Sequence, residues 1–149
     1  MDQIEFIPRM SSIEEYQVVD IYINGFNLIN IISTEEQSMF PLLHISAYPG
    51  QYEGIPPLLS MPPKQHFWGI AEKPYQKGEK RIAVLESGRS GVPNEWTISV
   101  EVEVDGEKVV WKNFYHEQLD MFYEGIPEFE FELVAYKKAL HANSIKPKN

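Results

Sequence analysis

The sequence predicts an α+β fold: a mainly antiparallel sheet of about five to six strands, two helices and a long proline-rich irregular loop. Three observations carry that expectation. Trp96, Ile98, Val100, Val102 and Val104 alternate strictly with Thr97, Ser99, Glu101, Glu103 and Asp105, the period of a half-buried strand. Helical spacing is confined to two segments, one near each end. The strand segments cluster instead of alternating with helices, which argues against a parallel nucleotide-binding sheet.

The 149 residues suit a single domain spanning 1–149, with 43% hydrophobic residues to build a core. Ile4-Glu5-Phe6-Ile7 reads as a first strand, and Tyr16 to Ile23 as a second, in which Val19, Ile21 and Ile23 alternate with Asp20 and Tyr22. Asn24-Gly25 signals a turn. Asn27 is placed to cap a helix from Leu28 to about Glu36, with Leu28, Ile31 and Ile32 as its apolar stripe.

Residues 41–78 hold seven of the eleven prolines, a spacing that disfavours helix and central strand. They also hold Tyr48, Tyr52, Phe67, Trp68 and Tyr75, so the segment reads as an ordered excursion pinned by its rings. Arg81 to Glu86 follows as a short strand, and Ser87 to Asn94 as a glycine-containing turn. Asp105-Gly106 then predicts a two-residue hairpin pairing Val102 with Val109, Val100 with Trp111 and Glu103 with Lys108. Glu128 to Phe131 gives a last strand and Glu132 to Ala142 a closing helix. In that helix Leu133, Tyr136 and Leu140 share a face, and Lys137, Lys138 and His141 suit its C-terminal dipole. Residues 144–149 read as a frayed tail.

The formal net charge is −9, and its distribution is uneven. From Glu95 to Glu132 there are eleven acids and two bases, Lys108 and Lys112, and the rest of the chain carries eleven of each sign. Such a chain repels phosphate backbones, so nucleic acid is not expected as a partner. An acidic face attracts a basic protein and speeds its association, although net charge also serves solubility alone.

Several chemistries lack their parts. With no cysteine, disulfides, thiol nucleophiles and thiolate metal sites are excluded. No phosphate-binding glycine loop is present, and Gly88-Arg89-Ser90-Gly91 lies between strands, not before a helix. No Gly-x-Ser-x-Gly elbow exists. The four histidines lack zinc-site spacing, and His116-Glu117 with Asp120 reads as a solvated loop. The sequence therefore assigns no catalytic residue, no metal and no cofactor. No apolar run reaches membrane-spanning length and the first residues lack the features of a secretory signal, so a cytoplasmic protein without membrane contact is expected.

Several short motifs resemble a widespread set of small bacterial proteins with no assigned activity. They are Val19-Asp20-Ile21-Tyr22-Ile23-Asn24-Gly25 with Leu28-Ile29, Gly50 through Pro57, His66-Phe67-Trp68-Gly69, Val109 through Phe114, and Phe129-Glu130-Phe131 with Tyr136 and Ala139-Leu140. The likeness runs from Val19 to Leu140. It implies a shared fold and a bacterial cytoplasm. That family tends to carry a cysteine-rich turn ending in Cys-Trp; here Glu86 through Trp96 keeps glycines and the tryptophan but no cysteine. A metal or redox role resting on those cysteines does not carry over, and the resemblance supplies no catalytic residue.

The favoured expectation is a non-catalytic protein-binding module, in the form of an immunity-like or antitoxin-like inhibitor of a basic partner. Its contact surface would comprise Glu101, Glu103, Asp105, Glu107, Glu117, Asp120 and Glu124. One alternative is a small enzyme or ligand-binding domain with a pocket under the 41–78 loop, formed by Tyr52, His66, Trp68 and Glu86. Glu86 is also a candidate for an acid of shifted pKa at a strand end, as is Glu95. In the anchoring view of the same loop, Phe67 or Trp68 pins it while His66 bonds backbone. Another alternative is a structural homodimer.

Overall fold

The computed structural model describes residues 1–10, 17–47, 49–50, 52–55, 65–69, 80–87 and 96–142. The start of the second predicted strand at Tyr16, most of the 41–78 excursion, Glu95, most of the Ser87–Asn94 turn and the tail 144–149 lie outside the described residues. The fold is α+β. Strands β1 (Ile4–Met10), β2 (Gln17–Ile23) and β3 (Phe26–Asn27) form one antiparallel sheet. Strands β4 (Tyr52–Gly54), β5 (Arg81–Ser87), β6 (Thr97–Asp105), β7 (Lys108–His116) and β8 (Met121–Phe122) form a second, with β9 (Phe129–Glu132) also paired to β7. Helix α1 is Leu28–Leu42 and α2 is Leu133–Ala142.

Two isolated bridges stitch the sheets together. The Val19 amide donates to the Ile55 carbonyl at 2.8 Å, joining β2 to the end of β4. The Asp2 amide donates to the Glu130 carbonyl at 2.9 Å, joining the start of β1 to β9 in parallel. Neighbouring strands therefore run in a ring, β1–β2–β4–β5–β6–β7–β9 and back to β1. Gly54 permits the first joint, because a Cβ there would stand 2.0 Å from the Val19 carbonyl oxygen.

The core gathers the inward residues of this ring, among them Phe6, Ile21, Ile82, Val100, Val102, Val109 and Phe131. Alternation along each strand explains why these residues face inward. A 3-10 turn, Gln65–Trp68, inserts Phe67 between Phe6 (ring centroids 4.5 Å) and Trp111 (6.4 Å, near-parallel). Helix α2 adds Tyr136, whose hydroxyl donates to the Phe67 carbonyl and accepts from Trp111 Nε1 at 3.2 Å. The pairing Phe67–Tyr136 thus ties the loop to the closing helix.

Three sequence expectations are corrected. Helix α1 continues to Leu42 instead of ending near Glu36, with Pro41 in its last turn. Proline has no N–H to offer the Gln37 carbonyl, and the helix ends one residue after it. Asn27 caps its start, accepting from the Ile29 amide at 2.9 Å. Second, the proline-rich stretch contributes a strand, β4, paired antiparallel with β5. Third, the hairpin turn is Gly106-Glu107, so Asp105 pairs with Lys108, Val104 with Val109 and Val102 with Trp111. Gly106 sits at φ +62°, a conformation glycine adopts without strain, and this lets Asp105 remain in the strand. The slip is two residues, so Val100, Val102, Val109 and Trp111 still face the core. A bulge at Asn113, φ +56°, shifts the register again beyond Glu101.

Candidate functional site

The hairpin sorts the acidic stretch into neutralised and free charge. On the outer face of β6 and β7, Lys112 Nζ reaches Glu103 at 2.7 Å and Glu101 at 3.5 Å. Lys108 pairs with Glu130 of β9. These contacts lower the Glu103 pKa and raise those of Lys112 and Lys108, chiefly through the side-chain hydrogen bonds. Both bases of the acidic segment are thereby committed to the sheet face.

At the hairpin tip Asp105 stands opposite Lys108 and helps to raise its pKa, but Lys108 is ion-paired with Glu130 instead. Asp105, Glu107 and Glu132 make no ion pair among the described residues. They rim a cleft of about 660 Å³ whose other lining residues are Met1, Leu133, Val134 and Lys108. The walls are held by backbone. The Glu107 carbonyl accepts from the Leu133 amide at 2.8 Å, fixing the tip to the first turn of α2. Asp2 fixes the third wall, its carboxylate accepting from the Glu130 amide at 2.9 Å and from Asn24 Nδ2 at 3.0 Å. Met1 (78% exposed) and Val134 (69%) present apolar surface to water there.

The seven acids expected to form one contact surface are spread along the hairpin. Asp105 and Glu107 stand at the tip, and Glu101 and Glu103 lie mid-face. Glu117 and Asp120 stand beyond the far end of β7, roughly 25 Å from the tip by strand rise, and Glu124 follows β8, which runs back along β7 with Phe122 opposite Tyr115. Asp120, at φ +50°, accepts from the Tyr115 hydroxyl. Glu132 and the apolar walls belong to the cleft but not to the sequence-predicted set. Register puts them there, so only the β9–β7 pairing could have revealed them.

The residues expected to line a pocket fall on three elements. His66 Nε2 lies 2.8 Å from the Ala83 carbonyl, and the ring meets Phe67 edge-on. Trp68, half-buried, meets Tyr136 edge-on at 5.1 Å. Glu86 is half-buried on β5 opposite Glu53. Tyr52 on β4 is buried and turns its hydroxyl to Glu36.

That contact belongs to a polar cluster the sequence reading missed. Glu36 is fully buried on α1. Its Oε2 accepts from Tyr52 (2.5 Å) and Tyr123 (2.6 Å), and its Oε1 from the Gly50 amide (2.8 Å). Burial pushes the Glu36 pKa up, and the three donors partly offset it. The tyrosines are raised well above their ordinary value, first by burial, and then by the facing carboxylate for Tyr52 and by Tyr52 and the carboxylate for Tyr123. A signal existed: Leu28, Ile32, Glu36 and Phe40 recur every fourth residue, so the acid occupies a core position.

Two further buried groups flank this region. Arg81 donates to Ser99 Oγ (3.2 Å) and to the Asn113 carbonyl (2.7 Å), under the rings of Tyr115 and Phe122. His116, fully buried against Trp96, accepts the Leu119 amide at Nδ1, and burial lowers its pKa to about 4. It is neutral at physiological pH, with its proton on Nε2. Among the described residues no group of three His, Asp or Glu is placed to hold a metal, and no helix is long and apolar enough to cross a membrane. The chain matches no described protein family, no curated protein and no solved structure.

Proposed function

We propose that this chain is a non-catalytic protein-binding module that covers a basic partner, in the manner of an immunity or antitoxin inhibitor acting in a bacterial cytoplasm. One observation carries the reading: both lysines of the acidic segment are ion-paired with other acids, Lys112 with Glu103 and Glu101 and Lys108 with Glu130, leaving Asp105, Glu107 and Glu132 without an ion pair among the described residues and beside exposed apolar side chains. Complementary charge accelerates encounter, and apolar contact around it prolongs the complex. The bacterial setting rests on the resemblance of the Val19–Gly25 and His66–Gly69 motifs.

The test is capture of partners from source-cell lysate by the tagged chain, at low and high salt, followed by binding kinetics with the purified partner. A basic protein whose association slows steeply with salt supports the reading. Failure to retain any protein, or an association rate indifferent to salt, rejects it.

A further inference from the structure

We infer that the cleft between the hairpin tip and the first turn of α2 seats a basic segment of the partner, one that alternates cationic and apolar side chains. This rests on the protein-binding reading above and narrows it to one place and one chemistry. The cleft has two kinds of wall. Asp105, Glu107 and Glu132 form its rim, Met1, Leu133 and Val134 its apolar side, and Lys108, which also lines it, has its ammonium paired with Glu130. A purely cationic segment would leave the apolar walls wet, and a purely apolar one would cross three carboxylates that have no ion pair among the described residues. A Lys or Arg side chain lays its methylenes on apolar surface while its charge meets the rim, so it satisfies both walls.

Charge decides against a second copy of this chain as occupant. The net charge is −9, and a facing rim of the same three acids would repel. The cleft is also preformed. Its tip and helix are tied by the Glu107–Leu133 backbone bond, and its N-terminal wall by Asp2, so little ordering is needed on binding. Glu132 directly precedes the first turn of α2, where a negative charge suits the helix dipole.

The probe is a labelled Lys-Leu-Lys-Leu-Lys peptide, with Lys-Gly-Lys-Gly-Lys and Glu-Leu-Glu-Leu-Glu as comparators. Binding is read by anisotropy and by amide chemical-shift changes in the full chain. The expected result is that the Lys-Leu peptide shifts the amides of Glu107, Glu132 and Val134 and binds more tightly than either comparator. The double variant Glu107→Lys/Glu132→Lys weakens it on the order of tenfold. Val134→Ser weakens it several-fold while leaving the salt dependence unchanged, which a purely electrostatic patch would not produce. Equal binding of the Lys-Gly peptide, or shifts confined to Glu101 and Glu103, overturns the inference. If the captured partner loses affinity only when Glu101 and Glu103 are reversed, the cleft fails and the protein-binding reading stands. If no acid reversal alters partner binding, both fail.

Discussion

Replacing Glu36 tests whether the buried carboxyl holds three elements together. Glu36→Leu keeps a side chain of fitting size but removes the acceptor for Tyr52, Tyr123 and the Gly50 amide. Gly50 is half-buried and can turn to water, whereas both hydroxyls are buried. A buried donor without a partner costs about 1–3 kcal/mol, so the two tyrosines together cost about 2–6 kcal/mol. Removing the carboxyl also removes its desolvation, which offsets part of that, and the net loss expected is about 2–4 kcal/mol. Glu36→Gln retains a carbonyl acceptor, and its amide can donate to a tyrosine oxygen, so its loss is about 1 kcal/mol or less.

The pH dependence separates the two contributions. The folded-state pKa of Glu36 is raised, so the folded chain holds this proton more tightly than the unfolded chain. Its contribution is fully present below the unfolded value near 4.5 and is lost as pH rises through the folded value. The advantage of the wild type over Glu36→Gln therefore shrinks from acid to neutral pH. His116 titrates in both proteins and cancels in the difference. Urea denaturation followed by tryptophan fluorescence at several pH values measures it. Equal losses for Leu and Gln, or a wild-type advantage that grows with pH, would refute the reasoning.

Three other outcomes are expected. His116 has a folded pKa lowered to about 4, so its stabilisation is complete above its unfolded value near 6.5 and is lost as pH falls towards 4. That amounts to about 3 kcal/mol, and His116→Phe should flatten an acid denaturation profile over that window. Gly54→Ala drives a methyl into the Val19 carbonyl, so it should lower Tm sharply and speed hydrogen exchange at the Val19 amide; an unchanged Tm would mean the joint between β2 and β4 is dispensable. Phe67→Ala empties a position between Phe6 and Trp111 and should cost about 3–5 kcal/mol in the same urea assay.

Local patterns in the sequence were legible where one residue's environment depends on its own neighbours. Strict alternation located β6, the Asn27 cap located the start of α1, and the aromatic content of 41–78 anticipated the inserted Phe67. The misses arose where distant partners decide. Tyr52 to Gly54 forms a strand because β5 offers an edge and because Gly54 admits the Val19 backbone. Glu36 reads as the polar end of a helix until Tyr123, 87 residues away, supplies a donor. The acidic stretch looked like one surface because its residues are adjacent in sequence. The two lysines and the roughly 25 Å length of β7 divide it.

The ring of strands bears on how such a chain can recognise anything. A protein with a long open sheet edge can take a partner's strand by backbone pairing. Here β1 and β2 are joined to β9 and β4 by the Asp2 and Val19 bridges, and the strands outside the ring, β3 and β8, have two residues each. Strand β1 keeps an edge that is bridged to β9 only at Asp2, and in the proposed reading side chains at the ends of the ring carry specificity. At the hairpin end those are free carboxylates beside exposed methionine and valine. In the proposed reading the carboxylates set the rate of encounter and the apolar walls set the lifetime of the complex. Charge variants should therefore act on association and Val134 variants on dissociation.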